Sequence, residues 1–336
     1  MRFVRRFLLS IFLIGALLAV AAGATALWWL QHPLPLRQPT VDLVIEPGTL
    51  PKKVAQAVAD AGVSVDPRLL YAWFRLSGQA RQIKAGNYEI TQGTSPRALL
   101  DKLARGEEAL STVTLVEGWT FRQFRAALAK SGELRADTAG LSDEAVMERV
   151  GQPGVHPEGR FFPDTYTFAK GSSDLAVLQR AARAMDRRLA QAWEQRAPDA
   201  QVRNPEQALI LASIIEKETG RGAERTMVSA VFHNRLRIGM PLQTDPTVIY
   251  GIGPAFDGDL KRSHLRTDTP WNTYTRPGLP PTPIAMPGKD SLLAAVQPAQ
   301  SKALYFVARG DGSSQFSHSL EEHNRAVNKY QRGGGK

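Results

Sequence analysis

The chain is 336 residues long, 43% hydrophobic and free of cysteine, with a formal net charge of +10. That length supports one large or two modest cores, and the missing cysteine excludes disulfides, thiolate nucleophiles and Cys-based zinc sites. The basic balance favours an anionic partner, but Lys and Arg are scattered and no RNP, helix-turn-helix or finger pattern occurs, so the charge reads as a solvated surface and no nucleic-acid partner is expected.

The first element is apolar. Phe7 to Leu30 carries no charge, and these 24 residues would reach about 36 Å as a helix, against ~30 Å of bilayer hydrocarbon. Arg2, Arg5 and Arg6 precede the run. They predict a cytoplasmic N-terminus (residues 1–6), a single transmembrane helix (7–30) and a body outside the cytoplasmic membrane. Ala22-Gly23-Ala24 resembles a signal-peptide cleavage site, but the run exceeds the ~7–15 residues of a signal h-region, which favours an uncleaved anchor.

A proline-rich linker (31–40) follows. VDLVIEPGT alternates apolar and polar residues and predicts a strand ending at Pro47-Gly48. Leu50–Ala61 and Pro67–Leu76 have helical periodicity. Lys84–Thr91 predicts a second strand. Ser95, Pro96 and Gly106 mark the N-cap, first residue and stop of another helix. Residues 41–108 are thus expected to form a small subdomain containing a βααβ unit. Beyond it, STVTLVEGWTFRQF predicts strand, turn and helix, residues 133–160 read as loop-rich with no helix assigned, and Leu175–Ala197 reads as a long helix capped by Ser173 or Asp174. A helix is predicted from Pro205 to about Thr219, with Asn204, Pro205 and Gln207 in a capping-box pattern and Gly220 as the stop. A second helix is expected over roughly 224–238. The proline-dense stretch around 270–287 excludes helix and central strand. A helix at 291–296, a strand at 303–308 and a terminal helix close an α+β chain.

The helix carrying LASIIEKETG holds two glutamates. At about 100° per residue, Glu218 shares a face with Leu211, Ile214 and Ile215, whereas Glu216 lies about 160° away in a polar sector with Ser213 and Lys217. A carboxyl among aliphatic side chains has its charged form disfavoured, which suits a general acid at neutral pH. The alternative is that Glu218 emerges at the helix end and pairs with Arg221 or Arg225.

Downstream comes a run of uncharged hydrogen-bonding and aromatic residues: Asn234, Gln243, Thr244, Thr247, Tyr250, Asn272, Thr273 and Tyr274. Such groups suit a sugar polymer, with its hydroxyls, acetamido groups and apolar ring faces, better than phosphate. The segment QTDPT also reads as a turn held by Asp245 and Thr247 side chains. His318 and His323 lack the HExxH spacing of a zinc protease, and no metal or cofactor is expected.

ASIIEKET, VFHNRLRIGMPLQTDPTVIYGIG, NTYTRPGLPPTPIAMPG and LYFVA, with VEGWT, FFPDTY and KAGNYEI upstream, closely resemble the endolytic murein transglycosylase family, the YceG-like proteins. The resemblance implies a LysM-like, peptidoglycan-recognising subdomain over 41–108 and a catalytic domain over 109–332. It implies Glu218 as the catalytic acid/base, a periplasmic body on an inner-membrane anchor, peptidoglycan glycan strands as substrate and penicillin-binding synthases as partners. The reaction implied is non-hydrolytic: Glu218 protonates the glycosidic oxygen, then takes the proton of the muramic C6 hydroxyl, which closes on C1 to give a 1,6-anhydro end. Tyr274, Asn272 and Gln243 are the expected contacts to the oxocarbenium-like state, and Asp245 and Ser213 are expected to support the site structurally. Two other readings share these residues: a non-catalytic peptidoglycan-binding scaffold, and a muramidase that leaves reducing ends.

Overall fold

The computed structural model describes residues 2–333, with side chains from Phe12 to Gln331. Met1, the terminal 334–336 and the side chains of Arg2, Arg5 and Arg6, on which the expected orientation of the N-terminus rests, lie outside the described residues. The chain divides into two units, one of residues 1–111 and 168–171, the other of 112–167 and 172 onward.

The first unit opens with helix α1 (Arg2–Gln31). Its segment Phe12–Gln31 has a mean hydropathy of 2.0 and none of it is buried. Twenty such residues reach about 30 Å as a helix, the thickness of bilayer hydrocarbon. Strand β1 (Thr40–Ile45) follows, then helices α2 (Pro51–Asp60) and α3 (Pro67–Leu76), strand β2 (Gly86–Thr91) and helix α4 (Pro96–Arg105). The strands pair antiparallel, from Thr40 opposite Thr91 to Ile45 opposite Gly86. Alternation along β1 buries Val41, Leu43 and Ile45, and the three short helices add Val54, Val58, Leu70, Phe74, Leu99 and Leu103 to one core. Each helix begins with a proline, whose missing N–H costs nothing in the first turn. Asp66 and Ser95 cap α3 and α4, and Gly106, at φ +73°, ends α4.

Strand β3 (Leu110–Thr114) pairs with β4 (Thr165–Ala169). The second unit holds α5 (Phe121–Lys130), α6 (Asp143–Val150), α7 (Asp174–Glu194), α8 (Pro205–Glu218), α9 (Arg225–Arg237), α10 (Asp245–Ile252), α11 (Arg262–Arg266), α12 (Lys289–Val296), the hairpin β5 (Tyr305–Ala308) and β6 (Ser314–Ser317), and α13 (Leu320–Val327). Helix α8 lies at its centre, packed against α7, α9, α10 and α12. Every residue from Ala208 to Ile215 is buried.

Four expectations need correction. Residues 133–160 are not all loop: Ser142 caps α6, Asp143 and Glu144 occupy its first turn, and Gly151 at φ +95° ends it. The QTDPT stretch runs into the start of α10: Thr247 Oγ1 donates to the backbone at Thr244 O as expected, but Asp245 is held by the Tyr274 hydroxyl instead of by backbone. Gly220 is not the stop of α8. The helix ends at Thr219, whose extended backbone leaves the helical path while its Oγ1 donates to Ile215 O. Ser213 is not on a polar face, because α8 is enclosed on all sides from Ala208 to Ile215: its hydroxyl donates to Ile210 O at 2.7 Å and accepts from Ile284 N at 3.0 Å. That bond ties the proline-dense strap to the central helix.

Replacing Ser213 by Ala leaves a buried Ile284 N–H without its acceptor. Denaturant unfolding of the full chain in detergent is expected to show a loss of about 1–3 kcal/mol. A change below about 0.5 kcal/mol would mean that the strap does not depend on this bond.

Candidate active site

Glu218 is the last residue of α8 and is only partly exposed. Its Oε1 accepts a short hydrogen bond from Thr244 Oγ1. Thr244 is itself buried and stands at the N-cap of α10. The two helices therefore meet through an acid and a hydroxyl. Burial pushes the Glu218 carboxyl above the usual carboxylate range, the Thr244 hydroxyl pulls it back, the neighbouring Asp245 raises it, and the Arg235 guanidinium lowers it. Desolvation is the largest of these effects, as expected for a carboxyl enclosed by aliphatic packing.

Neither candidate arginine pairs with Glu218. Arg221 donates to Asp311 O and Arg225 to Asp290. Glu216 is directed elsewhere, its Oε2 accepting from Gly288 N at 2.9 Å. Gly288 is the N-cap of α12, and a Cβ there would stand 2.0 Å from the Glu117 carboxylate. Burial, and then Glu216 nearby, raise the Glu117 carboxyl. Glu216 thus anchors α12, and the two glutamates of α8 serve different places.

A web of hydroxyls supports Thr244. Its N–H donates to Thr273 Oγ1 at 3.1 Å, Thr247 Oγ1 donates to Thr244 O at 2.7 Å, and the Thr247 and Thr273 hydroxyls lie 2.9 Å apart. Gln243 N donates to Thr273 O at 3.1 Å. Gln243 is exposed and has φ +50°, the one non-glycine residue with positive φ among those described. Strain of that kind, about 1–3 kcal/mol, persists only where the surroundings over-determine it. Tyr274 Oη donates to Asp245 Oδ1 at 2.5 Å, which holds Asp245 as a loop fastener beside the acid.

The structure brings part of the predicted set together. Thr244 touches Glu218, and Gln243 and Tyr274 present accessible polar groups on the segments that flank it. The others correct the expectation of direct contact. Thr247 and Thr273 are buried under Thr244. Asn272 is fully buried, donating to the carbonyls of His264, Leu265 and Thr267 and accepting from Tyr274 N. Asn234 commits both Nδ2 hydrogens to Ser301 O and Ala303 O, at 2.8 and 2.9 Å. Irregular backbone must find partners when buried, and these amides and hydroxyls supply them. Tyr250 belongs to a neighbouring cavity, where its hydroxyl donates to Glu158 Oε2 at 3.2 Å.

Two residues escape the sequence reading. Arg235 is 8% exposed, with its guanidinium donating to Leu304 O and Leu242 O at 2.7 Å each and lying over the Tyr305 ring. It fastens the segment leading to Thr244 and places a buried positive charge toward Glu218. Its only sequence signal is a basic residue facing the apolar side of α9. Glu158 is 4% exposed, and burial pushes its carboxyl up to about 8. A Glu next to Gly159, where the backbone takes φ +80°, carries no periodic signal.

The site is thus of the single-acid kind: one desolvated carboxyl with a hydroxyl partner, in a setting of uncharged polar groups. The YceG-like family profile matches residues 43–329, and the chain belongs to that family. It is 31% identical to an endolytic murein transglycosylase of Bacillus subtilis over 87% of this chain and 85% of the relative. It is 25% identical to one of Streptococcus pneumoniae, over 96% of this chain and 65% of the relative. A crystal structure of a yceG-like protein from Listeria monocytogenes superposes with a TM-score of 0.52 at 28% identity, covering 85% of this chain and 98% of that one.

Glu158 gives a pH-dependent stability of definite sign. Its folded pKa of about 8 exceeds the ordinary 4.5, so its favourable contribution is complete below the ordinary value and is lost as pH rises through about 8. Urea unfolding from pH 5 to 9 is expected to show a declining component of at most about 1.4 kcal/mol per pH unit. Glu158→Gln should remove that component. An unchanged slope in the variant would contradict a buried, protonated Glu158.

Proposed function

We propose that this protein is an endolytic murein transglycosylase, cleaving the β-1,4 bond after N-acetylmuramic acid inside nascent glycan strands and thereby ending their elongation. The observation that carries the reading is the Glu218 carboxyl, enclosed at the end of a buried helix and raised above the usual range, with Thr244 as its partner. A protonated carboxyl there delivers its proton to the leaving glycosidic oxygen. The resulting carboxylate is stabilised by the Thr244 hydroxyl and the Arg235 charge, both of which favour the ionised form. It then takes the proton of the muramic C6 hydroxyl, which closes on C1. Ordinary glycosidases divide acid and nucleophile or base between two carboxyls. Here the substrate brings its own nucleophile, and the nearby Asp245 is already bound by Tyr274. Gln243 and Tyr274 are assigned to substrate contact, with Asn272, Thr273 and Thr247 holding them and Thr244 in place.

Around this core we place residues 1–6 in the cytoplasm, 7–30 across the inner membrane, 31–40 as a linker, 41–108 as a LysM-like glycan-recognising subdomain and 109–332 as the periplasmic catalytic domain. The apolar exposed α1 supports the anchor, and the order β1-α2-α3-β2 supports the subdomain. Penicillin-binding synthases, which make the strands this enzyme cuts, are the proposed protein partners.

The test compares wild type with Glu218→Gln on purified uncrosslinked glycan strands, with mass spectrometry of the fragments. Wild type should give internal 1,6-anhydro ends, and the variant should lose about 10³-fold or more in rate, since the amide cannot deliver a proton. Reducing ends instead would make the protein a muramidase. Absent cleavage with binding retained would make it a scaffold.

Thr244→Val removes the hydroxyl that lowers the Glu218 pKa. Because the acid must start protonated, activity falls as pH rises through that pKa. The alkaline limb of the rate profile should therefore move to higher pH in the variant. A limb that stays in place or moves down would contradict the role given to Thr244.

A further inference from the structure

Among the described residues, two buried acids play no part in the mechanism: Asp174, which is bound by the Thr138 N–H and hydroxyl, and Glu158. Glu158 lines a cavity of about 550 Å³ bounded by the first turn of α5, the 156–158 turn, the later half of α10, and Trp271. That size falls in the range of small-ligand sites. Its walls are unlike those of a structural void. Tyr250 and Trp271 meet edge to face, with centroids 5.5 Å apart. Trp271 Nε1 is satisfied by Thr282 Oγ1 at 2.9 Å. Glu158 Oε1 accepts from Phe121 N at 3.0 Å, and Oε2 meets the Tyr250 hydroxyl. The charged and titratable groups facing this acid are Arg122 on α5, Asp143 at the start of α6, His156 on the adjoining turn and Tyr250 on α10. None forms an ion pair with it. Held as a neutral acid in this setting, Glu158 keeps an O–H to donate. An aromatic pair beside an uncharged donor and acceptor is the chemistry of a sugar ring rather than of an ion.

The cavity's place along α10 ties it to the acid. Thr244 and Asp245 open the helix at Glu218, and Tyr250 follows five residues after Asp245, about 8 Å along the axis. We propose that this cavity is a subsite for an N-acetylated pyranose of the strand cut at Glu218, with Trp271 and Tyr250 as its apolar wall and Glu158 as a positioning hydrogen-bond donor. This rests on the transglycosylase reading, which it extends by assigning a second sugar position.

The test uses the full chain in detergent with Glu218→Gln, so that cleavage is off, and titrates β-1,4-linked N-acetylglucosamine oligomers by calorimetry. Adding Trp271→Ala should weaken binding about tenfold, and Trp271→Phe should recover most of it. Glu158→Gln should keep the affinity at pH 6 within about threefold, because an amide also donates, whereas Glu158→Ala should lose about tenfold. Circular dichroism and thermal melting verify that each variant is folded. Affinity unchanged in folded Trp271→Ala would overturn the subsite, as would Trp271-dependent binding of free stem peptide in place of sugar. The two readings fail separately. Cleavage by the wild type with Trp271-independent binding removes the subsite alone. Trp271-dependent sugar binding with no cleavage by the wild type removes the enzymatic reading and leaves a sugar site.

Discussion

Enclosure of the middle of α8, from Ala208 to Ile215, is the constraint from which the rest of the catalytic unit follows. A helix whose residues 208–215 are all buried can have polar groups only at its ends or where another segment satisfies them. Ser213 is satisfied by the proline-dense strap, Glu216 by the N-terminus of α12, and Glu218 by the N-terminus of α10. Three polar side chains on one apolar helix thus fix three separate segments. Glu218 differs from the other two in being bonded to a side-chain hydroxyl, at the point where the helix runs out and its carboxyl is still partly reachable. A structural link and a proton donor are here the same contact.

The balance of forces on that carboxyl matters for a group that must act twice. Desolvation favours the proton-bearing form needed at the outset. The Thr244 hydroxyl and the buried Arg235 favour the ionised form needed next. A site with desolvation alone would hold its proton too firmly, and one with a direct arginine pair would have lost it already. Arg235 avoids the latter by spending its donors on the carbonyls of Leu242 and Leu304. On Glu158 the Phe121 N–H, the Tyr250 hydroxyl and Arg122 also favour the ionised form, but burial outweighs them and holds the carboxyl up at about 8, so it remains an acid rather than a shuttle.

Much of this was legible in the sequence. Proline and cap signals place α3, α4, α7 and α8 within a few residues, and the helical wheel separates Glu218 from Glu216. What escaped was the tertiary part. The wheel puts Ser213 in a polar sector because it cannot see a strap folding over a second side of the helix. Asn234, Asn272, Thr247 and Thr273 look like sugar ligands by residue type, yet buried loop carbonyls and amides claim them first. Only the fold shows which amides are left over, and Gln243, on strained backbone at the surface, is one. Arg235 and Glu158 were missed for the complementary reason: a charged residue carries no mark in the sequence that it will be buried. The helix α6 was within reach, since Ser142, two acids and Gly151 bracket it.

The central claim is that Glu218 holds its proton beyond the normal range of a carboxylic acid. The direct measurement is a ¹³C NMR titration of the full chain labelled at the glutamate carboxyl carbons, with the Glu218 signal assigned by its loss in Glu218→Gln. The account predicts a midpoint clearly above the roughly 4.3 of an unperturbed glutamate. A midpoint at or below that value would show a carboxylate already ionised at neutral pH, and would remove Glu218 as the acid.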